Sequence, residues 1–338
     1  MSWQVKSNQI VWLILYIQSE RFPVITISKF RLMEKKMLAF TSILAGFFCF
    51  VVFSSFNEHK TTAEISPIET SKGLQQHISS YSLNKEFSFA EEPIPAGNFD
   101  ALERLDRELV TNSYLHAAIL LSIKTANRYF PIIEPVLKES GIPEDFKYLA
   151  VAESNLRMAT SSAGAKGVWQ FMIPAGEAYG LQIDDQVDER YHIEKSTRAA
   201  CKFILHLKKK FGSWTLAAAA YNMGENGVAR RMAEQHAETY YDLNLNEETS
   251  RYVFRIIAIK EIMNDPEHFG FYVDKEQMYP PMDDYYTIHI DGPVPSLADL
   301  AAQHGTSYRL LKVYNPWLIG SSLANKAGKR YEIRIPKK

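Results

Sequence analysis

The sequence predicts a mainly α-helical protein that ends in a small βααβ unit. Three observations carry this reading. Apolar residues recur at helical spacing from Phe99 to Ile262, no convincing run of alternating strands interrupts them, and the end of the chain changes texture to strand, helix, helix, strand. The 338 residues are 46% hydrophobic and 23% charged with a net charge of −1, which excludes a disordered tail, a collagen-like repeat and a polytopic membrane protein. With no basic excess to neutralise phosphates, nucleic acid is not an expected partner. Cys49 and Cys201 are the only cysteines, too few for a disulfide framework or a cysteine-rich zinc site.

Residues 1–56 form an amino-terminal segment outside the globular part. Met37 to Asn57 carries no charge, and Glu34, Lys35 and Lys36 stand directly before it. About 20 apolar residues suffice to cross a bilayer. A signal-peptide core is usually shorter and ends in small residues, and Val52-Phe53-Ser54 is only a weak cleavage site. Residues 37–56 are therefore a membrane anchor or a signal peptide, and both readings stand. The apolar run Ile10–Ile17 is too short to span, so the simplest reading has translation starting at Met33. Either way, the rest of the chain is expected outside the cytoplasm, in the cell envelope.

Residues 57–98 are rich in Ser, Thr, Glu and Pro and read as a flexible linker. From Phe99 a 3.6-residue apolar face begins with Leu102, Leu105 and Leu109. Pro131, Gly141-Ile142-Pro143, Gly180, Gly212, Gly224 and Pro266 then punctuate a series of helices, giving one domain over 99–280. Cys201, in an Ala-rich stretch, reads as a small buried helix residue. Within 281–338, Tyr285–Ile290 and Tyr331–Ile335 read as strands around two helices split by Gly305.

The chemistry concentrates in four stretches. Pro143 suits the first turn of a helix that carries Glu153 at its carboxyl end, followed by Ser154. A carboxylate there gains nothing from the helix dipole, and apolar surroundings raise its pKa, as a general acid requires. Ser161-Ser162-Ala163-Gly164-Ala165-Lys166-Gly167 gives a loop able to approach a ligand before Trp169, Gln170 and Met172, which would suit a sugar. For an isolated Glu and Trp, a solvated helix end and a core position are the plainer readings. Two further clusters shift the balance: Ala217–Ala220 delivers Tyr221, Asn222 and a candidate αL cap at Gly224, and Glu247-Glu248-Thr249-Ser250-Arg251-Tyr252-Val253 opens a late helix.

The order E-S-x-L, S-x-A-G-A-x-G-x-W-Q-F-M, V-D-E-R-Y-H, A-Y-N-x-G and E-T-S-R-Y-V resembles the lytic murein transglycosylases of the membrane-bound D type, over about residues 99–270. Residues around Tyr286-Thr287-Ile288, Ser296–Ala301, Tyr314-Asn315-Pro316 and Ile333–Pro336 resemble a LysM peptidoglycan-binding module. The resemblance implies a lysozyme-like α domain that cuts the β-1,4 bond between N-acetylmuramic acid and N-acetylglucosamine and leaves 1,6-anhydromuramyl ends. By it, Glu153 is the general acid and then the base. Ser154, Ser161 or Ser162, Gln170, Met172, Tyr191, Tyr221, Asn222 and Glu248 are implied as substrate contacts, Glu248 steadying an oxocarbenium-like state or a neighbouring side chain. Glycan strands are the implied partner of a monomer, and neither metal nor cofactor is expected: the nine His residues show no ligand spacing. A lysozyme-like muramidase and a catalytically weak wall-binding protein are the alternatives. Deleting 283–338 is expected to weaken binding to sacculi while short soluble glycans are still cut.

Overall fold

The computed structural model describes residues 80–337. The apolar segment 37–56, Cys49 and most of the linker lie outside the described residues. Among those described, no helix is long and apolar enough to cross a membrane. The fold is mainly α, as predicted, with a small βααβ unit at its end.

The folded part begins earlier than the sequence suggests. Strands β1 (Ser88–Phe89) and β2 (Glu92–Pro93) pair antiparallel, and Phe87 and Phe89 are buried in the main core. The Glu92 carboxylate accepts from the backbone of Trp214 at 2.6 Å and of Thr215 at 2.8 Å, and from the Ser213 hydroxyl at 2.7 Å. Burial opposes its charge, but these bonds prevail and hold the carboxyl below its ordinary range. The last part of the predicted linker is thus a structural strap, invisible in composition because its two-residue strands have no period to detect.

Helix α1 (Phe99–Ser113) starts where Asn98 caps it, its side chain accepting from the Ala101 backbone at 3.0 Å. Helix α2 (His116–Glu139) runs through Pro131, which the sequence reading takes as a break, and through Pro135. Both prolines lie on the exposed face, where water meets the carbonyls they leave unpaired. Helix α3 (Phe146–Ser154) carries Glu153 in its last turn, and the short α4 (Ile173–Ala178) follows the loop.

Helix α5 (Ile193–Phe211) ends at Gly212 in the left-handed region. Helix α6 (Trp214–Met223) presents Ala217–Ala220, all fully buried, so that its backbone packs closely against α5. Gly224 ends α6 with φ +88° and ψ 143°, an extended turn in place of the expected αL cap, because α7 (Glu225–Gln235) starts at the very next residue. Helix α8 (Glu247–Asn264), capped by Asn246, packs on α1, α3 and α6 and closes the domain. Cys201 on α5 is buried, as expected.

The carboxy-terminal unit runs β3 (Tyr285–Ile290), α9 (Leu297–Gln303), α10 (Tyr308–Tyr314) and β4 (Tyr331–Pro336). β3 and β4 pair antiparallel from Tyr285↔Pro336 to Ile290↔Tyr331. Its separate core of Leu297, Leu311, Ile333 and Ile335 also contains Val187, a residue of the preceding domain.

Candidate active site

Glu153 is half-buried on the last turn of α3. The helix stops abruptly after it: Asn155 and Leu156 both take positive φ, +52° and +56°. Asn tolerates that region and Leu does not, so the turn stores strain that burial of Leu156 offsets. The buried Tyr252 hydroxyl, from α8, donates to Oε1 of Glu153. Burial pushes the Glu153 carboxyl from 4.5 up to about 7; the Tyr252 bond pulls the other way, the charge of Glu248 adds to the rise, and that of Arg255 opposes it. Burial also carries the Tyr252 and Tyr221 hydroxyls well above their ordinary value, with the nearby Glu153 charge assisting, so both remain donors.

Glu248 is exposed and tied by Arg255, whose two terminal nitrogens lie 2.9 and 3.3 Å from its carboxylate oxygens. Behind them stands Glu108 of α1, only 1% exposed, 2.5 Å from Nε of Arg251 and 3.8 Å from Nε of Arg255. The sequence reading missed Tyr252, Arg255 and Glu108. Tyr252 and Arg255 had a signal: with Glu248 they stand at i, i+4 and i+7 on one helix, a single stripe. Glu108 had none, as an acid on an amphipathic helix normally faces water.

The loop after α3 turns at Gly164 and Gly167. Ser161 Oγ accepts from the Ala165 backbone at 3.0 Å, and Ser162 is exposed at the tip. Gln170, at φ +50°, donates from Nε2 to the Gly167 carbonyl at 2.7 Å and more weakly to that of Ala159. Met172 is exposed at the start of α4. Trp169 is a core residue, fully buried with Nε1 donating to Thr197, so the plainer of its two readings holds. Tyr221 donates to the Trp169 carbonyl at 2.7 Å, which brings α6 against the loop.

Ser154, Asn222 and Tyr191, also expected as substrate contacts, have partners within the protein as well. Ser154 is buried and donates to the Val168 carbonyl at 2.9 Å, tying α3 to the loop. Asn222 accepts from the Thr249 hydroxyl at 2.7 Å and joins the ends of α6 and α8. The Tyr191 hydroxyl meets that of Thr160 at 2.9 Å, and its ring packs against the core of the carboxy-terminal unit.

A half-buried helix-end carboxyl with a glycine loop beside it agrees with what the motifs imply, and two family models match parts of the chain. Residues 130–244 match the family described as Transglycosylase SLT domain. The chain carries a transglycosylase SLT domain. Residues 286–338 match the Soluble lytic transglycosylase C-terminal LysM-like domain. The chain is 31% identical over 245 residues to membrane-bound lytic murein transglycosylase D of Escherichia coli strain K12, covering 70% of this chain and 51% of that protein. The protein of the same name from Escherichia coli O6:H1, strain CFT073, matches to the same extent. The chain thus spans about half the length of the curated relatives it matches. Among solved structures, an X-ray structure of an inactive mutant of lytic transglycosylase Slt from Pseudomonas aeruginosa has 18% identity and a TM-score of 0.35, covering 45% of this chain and 26% of that one. Glu153, Gln170 and Tyr221 fall within the SLT match, whereas Glu108, Glu248, Tyr252 and Arg255 lie beyond it. Besides burial, the groups that shift the Glu153 carboxyl, Tyr252, Glu248 and Arg255, therefore all come from α8, beyond the matched SLT residues.

Proposed function

We propose that the protein is a peptidoglycan lytic transglycosylase in which Glu153 acts first as acid and then as base. The observation that carries this is the Glu153 carboxyl itself: pushed up to about 7 by burial and held by Tyr252, it suits both roles near neutral pH. In the first step its proton passes to the glycosidic oxygen, and the bond from that oxygen to muramyl C1 breaks with both electrons leaving on oxygen. In the second step the carboxylate takes the proton of the muramyl C6 hydroxyl while O6 bonds to C1. Glu153 ends protonated, no water is consumed, and a 1,6-anhydro end remains.

One carboxyl group serves both steps, whereas most glycosidases use a flanking pair. Glu248 does not supply the second member in this reading. Held by Arg255, it sets the charge around Glu153, with Tyr252 aligning the carboxyl. Gln170, Met172 and Ser161 or Ser162 contact the sugar from the loop, and the Tyr221 ring backs them.

We assign residues 80–280 to the catalytic domain with its strap and 281–338 to the LysM-like module. The chain works as a monomer in the cell envelope, brought there by residues 37–56 as signal or anchor. The relatives' names, membrane-bound and acting on murein, support that placement. Digestion of purified sacculi with the exported chain, followed by mass analysis of the products, tests the reaction. Anhydromuramyl ends support it, reducing ends would make the protein a hydrolase, and uncut sacculi would leave only a wall-binding protein.

A further inference from the structure

The join between the SLT domain and the LysM-like module is an interlocked contact that leads to the loop beside Glu153. The Gln186 carbonyl accepts from the backbones of Ile319 at 2.9 Å and Gly320 at 3.1 Å, and its Oε1 accepts from Ala324 at 2.7 Å. Val187 pairs with Leu318 and is a core residue of the module. The Asp188 backbone donates to the Trp317 carbonyl at 2.8 Å.

From Asp188 the contacts continue inward. Its carboxylate, 1% exposed, receives Arg190 through Nε at 2.8 Å and Nη2 at 2.7 Å. The same guanidinium donates to the carbonyls of Gly164 at 3.2 Å and Phe171 at 3.1 Å, the two ends of the loop that presents Gln170. The Arg190 carbonyl lies so close to Gly167 that a Cβ there would stand 1.9 Å from it. Gly167 in turn accepts the Gln170 side chain, and Val168 accepts Ser154, the neighbour of Glu153.

We infer that the docked LysM-like module is a positioning element for the catalytic loop: by holding Gln186–Asp188 through Trp317–Gly320, it fixes Arg190 and thereby the loop that carries Gln170 and is tied through Val168 to Ser154, next to Glu153. The inference rests on the proposed function. It replaces the expectation that losing the module leaves the cutting of short soluble glycans intact, because a loop displaced by an ångström costs rate even where no substrate contact is removed.

Two substitutions in the full exported chain test it. Gly320 has negative φ and accepts a side chain, but its Cβ would lie 3.1 Å from the Ser322 carbonyl and 3.2 Å from Gln186 Cα, so Gly320→Val wedges the contact apart. Gln186→Ala is milder and removes only the bond to Ala324. Amide hydrogen exchange at Asp188, Ile319 and Lys166–Phe171 is measured together with kcat/KM on a short soluble glycan. The expected result is faster exchange at Asp188 and Ile319 accompanied by faster exchange across 166–171, with kcat/KM reduced about 10- to 100-fold. Exposed Arg309→Ala on α10 is the control and changes neither. Opening at Asp188 and Ile319 with 166–171 and kcat/KM at their original values overturns the inference. So does a module that stays closed in both variants, since Gln186 would then not hold it. If the unaltered chain cuts no glycan, the proposed function fails and exchange alone decides the coupling.

Discussion

The Tyr252 hydroxyl donates to Oε1 of Glu153 from a helix that lies beyond the residues matched to the SLT family. A donor aimed at a carboxylate stabilises the ionised form, and burial of the pair opposes it. The two effects leave the carboxyl within reach of both protonation states.

Tyr252→Phe removes the donor and keeps the ring. The Glu153 carboxyl then loses its main stabiliser and titrates higher than about 7. In the unaltered chain, kcat/KM should fall as pH rises through about 7, because the acid must carry its proton in the first step. In Tyr252→Phe that alkaline limb should move to higher pH while the maximum rate drops, as the carboxyl is less well aligned. A pH–rate profile on a soluble glycan checks this, and an unmoved or lowered limb would contradict the assigned donor.

Glu153→Gln should abolish cutting and stabilise the fold at alkaline pH. Between pH about 4.5 and about 7 the folded state binds a proton that the unfolded state has lost, so the unaltered chain loses stability as pH rises through that window. Gln does not titrate. Its advantage should be small at pH 4 and reach at most about 3 kcal/mol at pH 8. Urea unfolding at both pH values measures it, and a variant no more stable at pH 8 than at pH 4, relative to the unaltered chain, would reject the buried-acid account.

Glu92→Gln should destabilise the SLT domain by about 1–2 kcal/mol at neutral pH, through loss of charged caps on α6. Here the sign is opposite to that of Glu153. The folded carboxyl titrates below 4.5, so its contribution is present above that value and is lost as pH falls through the folded pKa. The difference between variant and unaltered chain should therefore shrink on acidification. Thermal melts at pH 7 and pH 3 check it; a constant difference would place the effect in packing of the strap.

What the sequence made legible was local. The helix carrying Glu153, the glycine loop with Gln170 and the Ala helix that bears Tyr221 near its end each lie within one stretch, where spacing and composition report directly on structure. The strap was not legible, because Phe89 and Glu92 act through contacts with Phe146 and Trp214, far along the chain. Pro131 misled because a proline on a water-facing helix surface leaves no sequence mark that separates it from a helix end. Val187 could not be placed in the core of the module, since one valine inserted into a neighbouring unit forms no pattern. The internal partners of Asn222 and Ser154 were not legible either, since Thr249 and Val168 lie in other stretches of the chain.

The two loop glycines should respond differently to the same change. Gly164 and Gly167 both have positive φ, +87° and +79°, so an alanine at either costs about 1–2 kcal/mol of backbone strain. At Gly164 nothing lies within 4 Å of the added Cβ, whereas at Gly167 the Arg190 carbonyl oxygen stands at 1.9 Å. That oxygen is backbone in the turn that also bears Tyr191, so it cannot rotate aside as a side chain would. Gly167→Ala must push the loop away from Arg190, lengthen the Gln170 bond to the Gly167 carbonyl and shift Val168 against Ser154. Gly164→Ala should therefore lower the melting temperature modestly with kcat/KM within about threefold of the original, while Gly167→Ala should lose about 100-fold in kcat/KM. Melting and kinetics on the pair decide it: equal losses would mean that the loop yields at Arg190 and that its close packing there does not set the geometry at Glu153.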